Sequence, residues 1–232
     1  MTDVHCHVLP GMDDGSASVE ESLAMLEALS AQGIGGVAAT PHFYAEENSP
    51  EVFLRRRAAS VRRLRERWQP GLPALRLGAE VCYYQGISRC EELECFTIEG
   101  TRLLLLEMPF ERWTDRVLQE VWEIQSRPGI TVVLAHIERY LCRQDRSIWR
   151  TLAEWGVLNQ CNASFFLDWR TRHRALRLLR EGRIHLLGSD SHNMSSRPPR
   201  LGEACACLNA EEREILEAAC RRFLPDREEA AV

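Results

Sequence analysis

Residues 130–140 read Ile-Thr-Val-Val-Leu-Ala-His-Ile-Glu-Arg-Tyr, and this stretch decides how the rest of the chain is interpreted. Its apolar and β-branched first half predicts a buried strand over 130–135, and His136 follows at once. In a barrel of parallel strands, the carboxyl ends of the strands share the face that carries the active site. We therefore expect His136 on such a face, together with the polar residues that end other strands.

The same combination of an apolar run and a polar ending recurs along the chain. Strands are predicted over 2–7, 36–40, 75–84, 103–108, 130–135, 157–161 and 184–188. Helices are predicted over 18–32, 115–125, 146–155, 171–181, 202–208 and 210–223, and a longer one begins at Ser49-Pro50. Strands alternating with helices are typical of βα units around a parallel sheet. Seven such strands in succession predict an α/β fold with a (β/α) barrel of TIM-like type.

Length and composition are those of one globular domain, which we expect to span residues 1–232. Apolar residues make up 45% and charged residues 27% of the chain, and no stretch approaches the roughly 20 apolar residues of a membrane span. The nine cysteines are odd in number and scattered, which favours reduced thiols over disulfides. These features predict a cytoplasmic protein without direct membrane insertion.

The charge pattern excludes several classes of function. All 29 basic residues are arginines, so Schiff-base chemistry and a Walker-type phosphate loop, which need a lysine, are excluded. The net charge of -5 argues against general nucleic-acid binding, which needs a basic surface. Seven arginines lie between positions 55 and 67 of the long helix, mostly outside its apolar stripe. We interpret them as a solvated face, with steering of an anionic substrate as the weaker alternative.

Two histidines of the first predicted strand begin a candidate metal site. His5 and His7 are two residues apart, so both side chains point to one face of a strand, whereas Cys6 points away. Glu80 and Glu107 lie within apolar runs, where an unpaired carboxylate is costly unless a proton or a cation neutralises it.

The complete set of candidate ligands combines imidazoles with carboxylates. Its members are His5, His7, Asp14, His42, Glu80, Glu107, His136, Asp190 and His192. Nine such ligands exceed the needs of one ion, whereas two or three ions bridged by carboxylates fit, with Mn, Fe and Zn all open. Because a metal cluster lowers the pKa of a bridging water, the set predicts metal-assisted hydrolysis. His173 in an arginine-rich helix and His185 at the start of a strand are interpreted as structural.

The motifs occur in a specific order: His5-x-His7, Thr40-Pro41-His42, Gly78-Ala79-Glu80, Glu107, Ala135-His136-Ile137-Glu138-Arg139-Tyr140, Ser189-Asp190-Ser191-His192-Asn193 and Arg197-Pro198-Pro199. This series resembles the PHP family, named for polymerase and histidinol phosphatase. Within that family it is most similar to the capsule-type bacterial protein-tyrosine phosphatases. The likeness covers most of the chain, from the first strand to Pro199.

The resemblance implies a distorted seven-stranded barrel with three metal ions, usually manganese in this branch. One ion would take His5, His7, Glu80 and Asp190, the second would take Glu80, Glu107 and His136, and the third would take Asp14, His42 and His192. Asp13 competes with Asp14 for its place, and spacing does not decide between them.

Arg139 and Arg197 are the predicted substrate-binding residues, because each follows a proposed ligand closely and a guanidinium matches phosphate oxygens. An ordinary surface ion pair is the alternative for both. In the expected reaction, a metal-bridging hydroxide attacks phosphorus while the two arginines neutralise charge. His42 or Asp14 is the residue expected to assist the leaving group.

The resemblance therefore predicts a metal-dependent protein-tyrosine phosphatase. Its implied substrate is a phosphotyrosine protein, such as the tail of a membrane-associated bacterial tyrosine kinase that regulates capsule or exopolysaccharide synthesis, and a homo-oligomer is left open. One alternative is a small-molecule phosphatase of the histidinol-phosphate type on the same barrel. Another is a non-catalytic metal-binding interaction module, which loss of ligands would indicate.

A second route to tyrosine phosphatase activity needs a Cys-x5-Arg loop, and Cys207 and Arg213 have that spacing. Such a loop surrounds a phosphate dianion with backbone amides. Here Glu211 and Glu212 would repel phosphate, and the segment is predicted to begin a helix. We interpret the spacing as a coincidence.

Overall fold

The computed structural model describes residues 1–225 as an α/β fold with parallel strands. The strands are β1 Thr2–Cys6, β2 Gly36–Ala39, β3 His42–Phe43, β4 Ala74–Leu77, β5 Glu80–Cys82, β6 Leu103–Glu107, β7 Thr131–Leu134, β8 Leu158–Asn162 and β9 Leu186–Gly188. The α-helices are α1 Val19–Ala31, α2 Pro50–Arg65, α3 Asp115–Gln125, α4 Arg146–Glu154, α5 Ala163–Leu167, α6 Arg172–Arg180, α7 Leu201–Ala206 and α8 Ala210–Phe223. Every predicted helix is present, with ends shifted by a few residues at most.

The strands form two parallel sheets rather than the one seven-stranded ring predicted. The first sheet has the order β1-β2-β4, and the second has the order β3-β5-β6-β7-β8-β9. The predicted strand 75–84 is wrong as a single element, because it is divided into β4 and β5. At the division, the amide of Ala79 donates to Phe96 O at 3.1 Å instead of to a neighbouring strand.

The neighbouring extended segment, which contains β2 and β3, is interrupted beside the division between β4 and β5. Pro41 separates β2 from β3, and proline has no N–H to donate to a ladder. Strands β2 and β4 pair in the first sheet, and their continuations β3 and β5 pair in the second. The nine strands therefore correspond to seven passes of the chain through the fold, because β2 with β3 and β4 with β5 each form one interrupted pass.

The two sheets also meet where β1 lies beside the end of β9. Cys6 and Ser191 form an isolated parallel bridge, and the amide of Asp190 donates to His5 O at 2.8 Å. A Cβ atom at Gly188 would lie 2.4 Å from His5 Cβ, so this close approach requires glycine. The start of the chain is thus attached to the last strand.

The strands are buried on both faces, as parallel strands covered by helices usually are. In β6, Leu104 and Leu106 belong to the large core beneath the helices, whereas Leu103 and Leu105 belong to a second core cluster. Since alternate residues share a face, Glu107 projects on the same side as Leu103 and Leu105, at the carboxyl end of the strand. The fold therefore delivers a carboxylate to the edge of the inner cluster.

Helix α2 supports the solvated interpretation for most of its arginines, whereas Arg57 is half-buried and donates to Gly78 O and Cys95 O. Its N-cap Ser49 accepts from the amide of Val52, and Phe53 and Leu64 are buried. Arg55 and Arg62 are exposed on the other side. Among the helices of residues 1–225, none has both the length and the apolar character needed to cross a bilayer.

Candidate metal centre

The structure brings all nine predicted side chains into one cluster, and Glu80 lies at its middle. Glu80 Oε2 lies 3.0 Å from His5 Nε2, 3.2 Å from His7 Nε2 and 3.1 Å from His42 Nδ1. Its Oε1 lies 2.9 Å from His136 Nε2. The carboxylate is fully buried, so four imidazoles from three segments of the chain enclose one charge.

Several of these close contacts bring together acceptor atoms that have no hydrogen bond between them. Within residues 1–225, Glu80 Oε2, His42 Nδ1 and His192 Nε2 are buried atoms that make no hydrogen bond, despite their close neighbours. Buried polar atoms are normally paired, so unpaired ones need an explanation. Bound cations would satisfy all three atoms, and the donor set of imidazole and carboxylate fits Mn, Fe or Zn.

The first group of ligands combines β1 with the segment after β9. His5 Nε2 and His7 Nε2 lie 3.1 Å apart, and Asp190 Oδ1 lies 3.6 and 3.5 Å from them. Ligand atoms about 2.1 Å from a shared ion lie roughly 3.0 to 3.4 Å apart. With Glu80 Oε2, these atoms have the spacing of one coordination sphere.

The second group lies on the other side of Glu80. His136 Nε2 is 3.3 Å from Glu107 Oε1 and 2.9 Å from Glu80 Oε1. Ligand atoms of His42, Glu80 and Glu107 also lie within 4.8 Å of one another. Glu80 therefore touches the first two groups, as a bridging carboxylate does.

The third group separates the roles of the two neighbouring aspartates. Asp14 Oδ1 lies 3.3 Å from His192 Nε2 and 3.6 Å from His42 Nε2, and these three residues cluster with His7. Asp13 instead accepts from His7 Nδ1 at 2.7 Å and from the amide of His42 at 2.8 Å. Asp14 thus lies among the ligand atoms, whereas Asp13 orients the ring of a ligand from behind.

Two residues of the cluster have unusual backbone conformations. His136 has φ of 32° and Asp190 has φ of 51°, and among residues 1–225 only these two non-glycine residues have positive φ. Such conformations cost about 1–3 kcal/mol each and concentrate at functional sites. Each residue lies two positions after the end of a strand, β7 or β9. The His136 side chain contacts Glu80, and the Asp190 side chain lies beside His5 and His7.

Burial and neighbouring charge shift the pKa values of the buried ligands in opposite directions. Burial alone would raise the pKa of Glu80, but the surrounding imidazoles, His5 foremost, hold it well below its usual range. Burial alone would lower the pKa of His7, but Asp13 and Glu80 raise it to about 10. The pKa of His136 is raised to about 9 against the effect of burial by Glu107 and Glu80. The Glu80 carboxylate is thus ionised, and it attracts positive charge.

The pKa values of the two histidines nearest Asp14, His42 and His192, are lowered instead of raised. Burial lowers the pKa of His42. Burial and then the charge of His7 lower the pKa of His192 to about 4. Both rings are neutral near pH 7, which is the form that binds metals.

Both predicted substrate-binding arginines lie at the rim of this centre. Arg139 Nη2 donates to Asp190 Oδ2 at 2.8 Å, and Arg197 Nη2 lies 2.7 Å from Asp190 Oδ1. Their side chains are 34% and 38% exposed, so solvent reaches both. They line a cavity of about 250 Å³ together with Asn162 and Ser164.

Two buried amide side chains of β8, which the sequence did not reveal as part of the site, contact the predicted ligands. Gln160 Oε1 accepts from the amide of His136 at 2.7 Å and lies 3.2 Å from His5 Nδ1. Asn162 Nδ2 donates to Asp190 Oδ2 at 2.7 Å. Gln160 and Asn162 are two residues apart, so their side chains point to the same face of β8. The predicted strand 157–161 stops before Asn162, so the pair was not recognised.

The residues interpreted as structural lie away from the cluster. His173 is exposed on α6, and His185 Nδ1 accepts from the amide of Asn159 at 3.0 Å. The Cys-x5-Arg segment is occupied by the start of α8, where Asn209 and Glu212 form a reciprocal capping box. This cap uses amides that a phosphate loop would need free.

Comparison with known proteins gives a consistent result. The family model described as "Capsular polysaccharide synthesis, CpsB/CapC" matches residues 1–225. The chain is 30% identical over 218 residues to "Tyrosine-protein phosphatase YwqE" of Bacillus subtilis, covering 91% of this chain and 85% of that protein. It is 31% identical over 219 residues to "Tyrosine-protein phosphatase CpsB" of Streptococcus agalactiae serotype V, covering 88% of each.

A solved structure is also similar over nearly the whole chain. It belongs to a study of YwqE from Bacillus subtilis and CpsB from Streptococcus pneumoniae, described as "unique metal-dependent tyrosine phosphatases". The TM-score is 0.78 at 26% identity, with 95% of this chain and 93% of that chain covered. The likeness therefore extends from the sequence to the arrangement of the elements.

Proposed function

Because the chain belongs to the CpsB/CapC family of capsular polysaccharide synthesis proteins, we propose that it is a metal-dependent tyrosine-protein phosphatase. Two curated relatives that it covers over most of their length are named tyrosine-protein phosphatases, and the similar solved structure is described as that of metal-dependent ones. The observation that carries the proposal is the enclosure of Glu80 by four imidazoles. Such a centre, with two arginines at its rim, suits phosphate-ester hydrolysis better than binding alone.

The proposed ligands are the nine residues of the cluster, with Glu80 shared between groups. They are His5, His7, Asp14, His42, Glu80, Glu107, His136, Asp190 and His192. We propose three manganese ions, with iron or zinc as the alternatives. Bound divalent cations supply Lewis acidity and lower the pKa of water at neutral pH.

The residues of the chain itself position the phosphate ester. Arg139 and Arg197 present guanidinium groups beside Asp190, where they would bind phosphoryl oxygens and neutralise charge in the transition state. A tyrosine leaving group has a pKa of about 10, so it needs less protonation than an alkyl alcohol. Asp14 and His42 lie together at the exposed side of the cluster and are the groups placed to assist it.

The finer features of the fold and setting are also proposals. The seven chain passes would form a distorted barrel, supported by the bridge between Cys6 and Ser191 and by the two interrupted passes. The substrate would be a phosphotyrosine protein, such as the tail of a membrane-associated tyrosine kinase of capsule synthesis. The protein would act in the cytoplasm, where ATP-dependent kinases make phosphotyrosine. One domain over residues 1–232 and a homo-oligomer stay predictions.

A substrate panel tests the proposal. Manganese-loaded protein should hydrolyse phosphotyrosine peptides with a higher kcat/KM than histidinol phosphate or phosphoserine peptides. Asp190→Ala should abolish turnover, whereas Cys207→Ser should leave it unchanged. Arg139→Ala should raise KM without loss of bound metal. Preference for histidinol phosphate would favour a small-molecule phosphatase, and abolition of activity by Cys207→Ser would contradict the metal mechanism.

A further inference from the structure

Strand β8 carries a pair of amides between the metal ligands and the protein core. We infer that Gln160 and Asn162 are positioning residues, which fix the protonated nitrogen of His5 and the orientation of Asp190. The inference rests on the proposed metal centre, but it concerns two residues outside the predicted ligand set, which contact the predicted ligands His5 and Asp190.

A backbone group determines the orientation of the Gln160 amide. The N–H of His136 is always a donor, and it points at the terminal atom of Gln160 from 2.7 Å. That atom must therefore be the oxygen. The same oxygen lies 3.2 Å from His5 Nδ1, and an amide oxygen has no proton to give.

The protonation of His5 follows from this orientation. His5 Nδ1 must carry the hydrogen of the contact, so in the neutral ring Nε2 keeps its lone pair. This Nε2 is the atom that faces Glu80 Oε2 and His7 Nε2, at 3.0 and 3.1 Å. Metal-binding histidines typically have the other nitrogen fixed in this way. Gln160 thus selects the tautomer that can bind metal.

The orientation of the Gln160 amide also determines that of the Asn162 amide, which in turn contacts Asp190. With its oxygen assigned, Gln160 presents its NH₂ group to Asn162 Oδ1 at 2.9 Å. Asn162 must then present its own NH₂ group to Asp190 Oδ2, which it reaches at 2.7 Å. This donor and Arg139 hold Oδ2. Oδ1, which Arg197 also contacts, faces His5 and His7.

Glutamine satisfies both directions of this chain of hydrogen bonds, whereas its analogues do not. Glutamate at position 160 would accept from His136 and His5 but would place an oxygen against Asn162 Oδ1. Methionine has a similar volume and provides neither group. Gln160 is fully buried and Asn162 is 5% exposed, so water does not replace a lost partner easily.

The test compares Gln160→Met with Gln144→Met in zinc-loaded protein. Gln144 is also buried, and it bonds the amide of Trp113 and Glu111 O outside the metal centre. We expect Gln160→Met to weaken metal binding roughly 10- to 100-fold in chelator competition. It should lower kcat for a phosphotyrosine peptide more than it raises KM. Gln144→Met should lower the melting temperature but leave metal affinity unchanged.

A spectroscopic measurement separates positioning from packing. In ¹⁵N NMR of the wild type, His5 should show protonation at Nδ1, and Gln160→Met should lose this signature. Gln160→Glu should retain it and recover part of the metal affinity. If Gln160→Met does not fold, Asn162→Ala is measured instead, and a loss of metal affinity of about tenfold is expected.

Two results would overturn the inference. The first is that Gln160→Met keeps the metal affinity of the wild type and an unchanged His5 signal. Where Asn162→Ala is used instead, the corresponding result is an unchanged metal affinity. The other is an equal loss of metal affinity in Gln144→Met. The affinity and NMR measurements do not depend on turnover, so absence of phosphatase activity in the wild type would reject the proposed function and still leave this inference testable.

Discussion

At the scale of single residues, Glu80 distinguishes this centre from an ordinary cluster of histidines. Its carboxylate contacts a predicted ligand of each of the three proposed ions, since its partners include His5, His42 and His136. A buried charge of this kind is stable only if the surrounding positive charge is retained. The side chain should therefore be sensitive to an isosteric, uncharged replacement.

Glu80→Gln should lower bound metal and reduce kcat/KM by roughly a hundredfold or more, because it removes the shared charge while keeping the shape. Elemental analysis and steady-state kinetics measure both effects. Glu120→Gln is the matched control, since Glu120 is buried and bonds Tyr83 and the amide of Gly86 elsewhere. A Glu80→Gln variant with full metal content and activity would contradict the assignment.

The sequence predicts which residue types form the candidate site, but it does not predict the orientation of every side chain. Spacing predicts that His5 and His7 share a face, because the period of a strand is two. Spacing left Asp13 and Asp14 equivalent, since both lie in one turn. Their separation depends on the amide of His42 and the ring of His7, which reach Asp13 only in the folded chain.

At the scale of the elements, the contact between β1 and β9 holds His5 in place. Gly188→Ala should destabilise the protein by about 1–3 kcal/mol, because the new methyl group would overlap His5 Cβ. Denaturant unfolding measures the change. Gly35→Ala, where no atom lies within 4 Å of the new Cβ, should change stability by no more than about 0.5 kcal/mol. Equal stability of the two variants would show that β1 and β9 are not packed this closely.

The contact between β8 and β9 has a pH dependence of its own. Burial and then the charge of Arg222 lower the pKa of His185 in the folded protein. The unfolded chain, with a His pKa of about 6.5, therefore binds a proton more readily, and stability falls as the pH drops below that value. His185→Asn keeps an acceptor for the amide of Asn159 but does not titrate. Between pH 7 and 5 it should lose less unfolding free energy than the wild type; parallel curves would exclude this role.

Sequence periodicity predicts where strands exist better than where they end. The run 103–108 is apolar except for Glu107, and β6 occupies it almost fully. The run 75–84 is interrupted at Gly78, where Ile98 and Thr40 pack within 3.4 Å of a hypothetical Cβ. Those neighbours come from distant parts of the sequence, so no local pattern reveals the break.

At the scale of the whole molecule, the proposed metal centre brings together segments from position 5 to position 192. Removal of the ions should therefore lower global stability, since ligand binding to the native state adds about 4 kcal/mol at a thousandfold excess over Kd. Chelation should reduce the melting temperature by about 10 °C, as measured by calorimetry. Glu80→Gln serves as the control and should respond much less. An identical melting temperature with and without chelator would mean that the ions do not hold these segments together.

The architecture as a whole was the most accessible part of the prediction. Alternating apolar strands and helices specify an α/β fold with parallel strands, because helical connections return each strand in the same direction. The sequence did not specify two sheets, since this depends on the breaks at Pro41 and Gly78 occurring side by side.

The most direct measurement of the central claim is a titration of metal-free protein with Mn²⁺, in which bound manganese and phosphate release from a phosphotyrosine peptide are followed together. We predict that turnover is absent in the metal-free protein and rises as the ions bind, to about three per chain. Full turnover in the metal-free protein, or manganese binding without any turnover, would contradict the account.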